Sequence, residues 1–167
     1  MVPTVQEACE PGEEVFKLPK MSEEEVKEML RSCRICRMAL NDDPQPYIIP
    51  LDYVFINDKI YFHFANYGRK VDLFNKNPNV CVEIDKYNED ITDYKSVTLM
   101  GRLSLVRDTK EKEEASEALL ASIGSRGGKE KVAARHGFEC MDKKTLSSKE
   151  SLLLRLDVRD YIALKSP

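Results

Sequence analysis

The stretch Ile60-Tyr61-Phe62-His63-Phe64-Ala65-Asn66-Tyr67-Gly68-Arg69-Lys70 carries most of the chemistry this chain can offer. Its first half alternates as a β-strand does. Ile60, Phe62 and Phe64 take one face, and Tyr61, His63 and Ala65 take the other. Gly68 permits a sharp turn without a Cβ clash. Arg69 and Lys70 then open a segment with helical spacing, in which Val71, Leu73 and Phe74 are the apolar positions. The start of a helix presents unpaired N–H groups and a partial positive charge, so it attracts anions. Two cations there add charge-assisted hydrogen bonds, bidentate for the guanidinium. A phosphate ester is the natural ligand of such an end. The plainer alternative is a solvated helix start. Against it, the helix dipole disfavours cations at this end, so a pair of them asks for a reason. His63 is a candidate for contact with cofactor or substrate, or for acid–base work. A packed, hydrogen-bonded histidine is the alternative.

Other constellations weigh less. Cys33 and Cys36 have metal-ligand spacing, but on a strand residues three apart face opposite sides and cannot share one ion, so no metal is expected. Gly124 to Gly128, followed by Lys129, lacks the GxxxxGK[ST] spacing of a phosphate loop and reads as a linker. His136 beside Arg135 reads as a surface residue. Glu111 to Glu114 reads as a solvated helix face.

The surrounding elements follow from turn residues and periodicity. Residues 1–20, with Pro3, Pro11, Gly12 and Pro19, form an N-terminal arm, and residues 21–167 form one domain. Ser22 and Glu25 make a capping box for a first helix whose stripe is Val26, Met29 and Leu30. Strands are expected over Cys33–Leu40, Tyr47–Ile56, Lys59–Ala65, Val80–Asp85, Tyr94–Arg107 and Ser151–Leu164. A helix over Arg69–Lys76 lies between the third and fourth. Gly101 marks a bend or bulge in the long fifth strand. Thr109–Ile123 is an amphipathic helix, and a short one is expected near Lys129–Arg135. Antiparallel strands with a few inserted helices make the fold mainly β: a barrel with peripheral helices.

Composition narrows the partners. The 167 residues suit one domain and can bury a core without a disulfide or metal. Net charge is −3, which leaves no basic excess for nucleic acid. No apolar run is long enough to span a membrane. The first residues do not follow signal-peptide order, and the five cysteines are odd in number and irregularly spaced. A cytoplasmic location is expected.

Several segments together carry a family resemblance. Tyr47-Ile48-Ile49-Pro50-Leu51-Asp52-Tyr53, then Ile60 to Ala65, then Gly68-Arg69-Lys70, resemble the pyridoxamine 5′-phosphate oxidase-like flavoproteins, nearest the nitroimidazole-resistance branch. Asn77-Pro78-Asn79-Val80-Cys81-Val82-Glu83 and Tyr94 to Arg102 continue the likeness in order, so that it covers roughly residues 30–107. It implies an antiparallel, Greek-key-like split β-barrel working as a homodimer with FMN at the subunit interface. Residue by residue, it implies that Arg69 and Lys70 take the FMN phosphate, although Gly68 stands where the oxidases have serine. His63 and Ala65 would lie along the cofactor. Pro50, Leu51 and Asp52 would offer backbone groups to the isoalloxazine edge, and Ser96 would reach the cofactor from the long strand. Two function classes follow, while a third, an interaction protein with an emptied pocket, is opposed by the intact Gly68-Arg69-Lys70 and His63 segments. One is an FMN-dependent oxidoreductase acting on a small molecule. The other is a non-catalytic module holding flavin, deazaflavin or haem. Pyridoxamine phosphate oxidation itself is disfavoured. The chain is short for that enzyme, and Arg155, Arg159 and Lys165 do not fall into its C-terminal pattern.

Overall fold

The computed structural model of the protein describes residues 17–125 and 142–167. In chain order the elements are α1 (Glu23–Ser32), β1 (Ile35–Leu40), β2 (Tyr47–Asp52), β3 (Val54–Ile56), β4 (Lys59–Ala65), α2 (Arg69–Lys76), β5 (Asn79–Tyr87), β6 (Tyr94–Leu105), α3 (Thr109–Gly124), α4 (Lys143–Ser147) and β7 (Ser151–Lys165). The strands form one antiparallel sheet in the order β2-β1-β5-β6-β7-β4-β3. β2 and β4 share no ladder, yet they approach each other across the sheet's open seam. The sheet therefore curls into the expected half-closed barrel.

Alternation decides what each strand faces. The inward residues of β4 (Ile60, Phe62 and Phe64) stand opposite Leu156, Leu154 and Leu152 of β7. They meet Met38, Leu40, Val82, Ile84, Val97 and Leu103 in the barrel core. Phe62 and Phe64 are fully buried, and each such side chain contributes about 1.5–3 kcal/mol through burial. Val26, Met29 and Leu30 of α1, and Val71 and Leu73 of α2, join the same core. The opposite face of β4 and β7 supports a second, smaller cluster: Tyr61 and Leu153 pack with Ala115, Leu119 and Ile123 of α3 and with Leu146 of α4.

Local expectations mostly hold, with instructive differences. Ser22 and Glu25 cap α1 reciprocally, with Ser22 N–H donating to Glu25 Oε2 at 2.8 Å and Glu25 N–H to Ser22 Oγ at 3.3 Å. Gly101 sits at a register shift between β6 and β7, where a Cβ would lie 2.4 Å from the Asp157 carbonyl oxygen. Cys33 caps the end of α1 instead of starting a strand, so β1 begins at Ile35. The strand expected over Tyr47–Ile56 is two strands, broken at Tyr53. Burying that side chain, whose hydroxyl donates to the Leu30 carbonyl at 3.1 Å, interrupts the ladder. The helix expected near Lys129–Arg135, His136 and most of the loop from Gly124 to Gly128 lie outside the described residues, as does the arm up to residue 16. Among the arm's described residues, Lys20 bridges to Leu164.

Glu111 corrects the expectation of a solvated acidic face. Its carboxylate accepts from the Tyr61 hydroxyl at 2.8 Å, from Arg155 at 2.9 and 3.1 Å, and from Lys59 at 3.2 Å. Arg155 also donates to Asp157 at 2.7 Å. The hub ties α3 to the outer face of β4 and β7. Chiefly the Arg155 hydrogen bond holds Glu111 down to about 2, against the opposing effect of burial. A carboxylate depressed in the folded state stabilises above its ordinary value, and that stability is lost as pH falls through the folded value. Glu111 therefore contributes fully above about pH 4.5 and progressively less towards pH 2. Glu111→Gln should lower the denaturation midpoint at neutral pH and flatten its fall over this acid range. An unchanged acid limb in urea titrations would remove Glu111 from the account.

Candidate functional site

β4 runs directly into the N-terminus of α2. Asn66 anchors the junction, since its N–H donates to the Glu150 carbonyl at 2.8 Å and its side chain to the Lys149 carbonyl at 2.9 Å. Gly68 then takes φ +84° and ψ 172° as the N-cap of α2. No atom lies within 4 Å of where its Cβ would be, so the backbone angle demands glycine and not the space around it. Gly68 has no side chain to cap the helix, and its carbonyl accepts from Val71 at 2.9 Å and Asp72 at 3.3 Å. Among the described residues, the N–H groups of Arg69 and Lys70 find no acceptor. This is an uncapped helix start, with its donors aimed outward.

The two cations behave differently. Lys70 is half-buried, its ammonium 5.6 Å from the Phe64 ring centre and 5.7 Å from that of Tyr67. Burial pushes its pKa down, because removal from water penalises the charged form. Among the described residues no carboxylate ion-pairs with it. Arg69 is exposed and turns to the β1–β2 turn. Its Nε donates to Asp42 Oδ2 at 2.9 Å, and the guanidinium lies 4.9 Å over the Tyr47 ring. Asp42 stands 27 positions earlier, and no periodicity links it to Arg69.

The other expected residues are distributed around this end. His63 lies on the face of β4 opposite the barrel core, half-buried, with Nε2 2.8 Å from the Ser151 hydroxyl. Ala65 is buried and pairs with Ser151 in the ladder. Pro50 and Asp52 are exposed, while Leu51 packs against the core. Their strand, β2, ends the sheet order, so one backbone edge has no neighbouring strand. Ser96 lies apart. It pairs with Asp85 of β5 and Leu164 of β7, three strand spacings from β2, or roughly 14 Å. Along β7 it stands opposite the far end from Ser151, the residue beside His63. One chain thus gathers Gly68, Arg69, Lys70, His63, Ala65 and the β2 edge, and leaves Ser96 remote. Sequence reasoning missed Asp42 and Ser151, whose approach depends on the fold.

The pyridoxamine 5′-phosphate oxidase family model matches residues 22–160, and the chain belongs to that family. An uncharacterized protein of Rhizobium meliloti is 33% identical over 82 residues, 49% of this chain. The match spans about half, 53%, of that relative's length. Among solved structures, an FAD-binding protein of Mesorhizobium loti superposes with TM-score 0.64 at 22% identity, covering 91% of this chain and all of that one. A 5-nitroimidazole antibiotic resistance protein of Bacteroides thetaiotaomicron gives 0.64 at 17% identity, covering 89% and 87%. An FAD and heme binding protein of Mycobacterium smegmatis gives 0.65 at 16%, covering 87% and 71%. These likenesses establish the split-barrel fold. No helix among the described residues is long and apolar enough to cross a membrane.

The turn into α2 yields a direct test. Gly68→Ala forces a side chain into a backbone region essentially reserved for glycine and should cost about 1–3 kcal/mol in chemical denaturation. Wild-type stability in this variant would mean that the turn relaxes freely and does not fix the helix start.

Proposed function

We propose that this protein is a flavin-binding oxidoreductase that holds FMN by its phosphate at the start of α2 and acts on a small molecule. The observation that carries this is the uncapped helix start, with free Arg69 and Lys70 N–H groups beside a half-buried lysine that has no carboxylate partner among the described residues. The donor set fits a phosphate. It supplies backbone hydrogen bonds, a helix dipole and a cation already partly removed from water. Membership of the pyridoxamine 5′-phosphate oxidase family and the FAD-binding structural relatives support a flavin as the group that carries it.

Each remaining residue has a task in this arrangement. The free edge of β2 at Pro50, Leu51 and Asp52 offers backbone donors and acceptors to the ring system's polar edge. His63 and Ala65 line the approach along β4. Flavin, when bound, supplies hydride or single-electron transfer, and the protein supplies orientation and polarity. His63, held by Ser151, is placed to hold or pass a proton near the ring.

Homodimerisation completes the site. Ser96 reaches the cofactor only if a second copy supplies it. The outer face of the sheet carries Ile35, Ile48 and Ile162, each more than half exposed. Such a patch favours a covering partner. The protein is expected to work in the cytoplasm, without nucleic acid or membrane.

Purified protein should be yellow, or the apoprotein should take up FMN to about one per chain, and the loaded protein should sediment as a dimer. Arg69→Ala with Lys70→Ala should weaken FMN binding by roughly a hundredfold, about 2.7 kcal/mol. A colourless protein that refuses added FMN, or the double variant binding as tightly as wild type, would overturn the assignment.

A further inference from the structure

A cleft of about 670 Å³ opens at the end of β4 away from α2. It is bounded by α1, by the hairpin of β3 and β4, and by β6 and β7. Its floor is part of the core, since Val26, Leu30, Ile60, Leu99 and Leu156 line it and each is buried. Nearer the surface it is lined by Phe55, Val158 and Tyr161, the last two each 45% exposed. The Arg31 guanidinium lies 5.8 Å from the centre of the Phe55 ring and helps to hold that wall. Small-molecule pockets span roughly 300–1,000 Å³, so the volume suits one ligand. Gly68, Arg69, Lys70 and His63 take no part in the lining. Ile60 in the floor and Ala65 before the helix start are roughly 17 Å apart along β4.

The rim is charged but balanced. Lys27 pairs with Glu23 at 3.0 Å and with Asp58 at 3.6 Å. Arg155 pairs with Asp157 at 2.7 Å, and Lys59 with Glu111 at 3.2 Å. Every ionised side chain that lines the cleft is therefore already paired. An ionised ligand would have to break one of these pairs or lie uncompensated on the apolar floor, and either costs free energy. Of the polar side chains in the lining, the Tyr161 hydroxyl has no partner among the described residues, so it can both donate and accept.

We infer that this cleft is a second small-molecule site, which takes an uncharged, largely apolar molecule with one hydrogen-bonding group. The buried floor supplies affinity, the Tyr161 hydroxyl meets the polar group, and the paired rim rejects ions. The site is separate from the phosphate clamp and independent of the flavin assignment.

The test is equilibrium dialysis of the full chain, as purified, against two probes with the same ring system. One is neutral N-phenyl-1-naphthylamine, and the other is the anionic 1-anilinonaphthalene-8-sulfonate. The neutral probe should bind saturably at about one per chain. The sulfonate should bind at least about tenfold more weakly. Val158→Arg should weaken the neutral probe about tenfold or more by placing a charge over the floor. Ile162→Arg, on the opposite face of β7, should leave its binding unchanged, as should saturating FMN and the variant combining Arg69→Ala with Lys70→Ala. Circular dichroism checks the fold, and Tyr161→Ala serves if Val158→Arg does not fold. No saturable binding to folded protein, or equal affinity for the two probes, would overturn the inference. So would displacement by FMN, which would merge the cleft with the flavin site. Loss of binding in Ile162→Arg but not in Val158→Arg would place the probe on the outer face of the sheet. A dimer that refuses the probe, with a Val158→Arg variant that sediments as a monomer, would make the cleft a seat for a second copy.

Discussion

The antiparallel pairing of β4 with the first six residues of β7 is the constraint on which the rest depends. It sends Phe62 and Phe64 into the barrel and leaves Tyr61 and His63 on the other face, where Ser151 meets the imidazole. It also ties Asn66 to Lys149 and Glu150, so the chain leaves the sheet at one place and in one direction. Gly68 turns there, and α2 begins with its free donors next to the strand end. A register slip of one residue would exchange the two faces of β4 and remove both the core and the imidazole contact.

Electrostatics at this end are uneven by construction. Arg69 remains in water and is satisfied by a carboxylate and a ring, whereas Lys70 is drawn against two aromatic rings and loses hydration. A partly desolvated cation binds an anion more tightly than a solvated one, because less water must be displaced on binding and the local dielectric is lower. The outer sheet face carries its own ionic group. Arg37 bonds both Glu83 and Asp85, and burial, aided by Asp85, pushes Glu83 up. Pro50, Arg37, Glu83, Thr98 and Ile162 form one row across five strands, so this group lies on the outer face of the sheet.

How much of this was legible in the sequence depended on the range of the interaction. The alternation of Ile60 to Ala65, the capping box at Ser22, the bounds of α2 and the bend at Gly101 are local or period-two signals, and they read correctly. The break at Tyr53 was hidden, because an unbroken run of β-formers does not show where burial of a tyrosine hydroxyl will interrupt the ladder. Glu111 looked like one acid among several on a helix face. Its hub role comes from Tyr61 and Arg155, which the sheet brings beneath it. Asp42 and Ser151 were missed for the same reason, since each meets the site only after the strands have paired. Ser96 was placed by resemblance alone, and the fold shows it distant from the rest within one chain.

The most direct test is a crystal structure of the protein grown with FMN. The account predicts the phosphate seated at the start of α2, its oxygens within hydrogen-bonding distance of the Arg69 and Lys70 N–H groups and of Lys70 Nζ, with the ring system running along β2 and His63. Phosphate bound elsewhere, with the start of α2 facing only water, would contradict it.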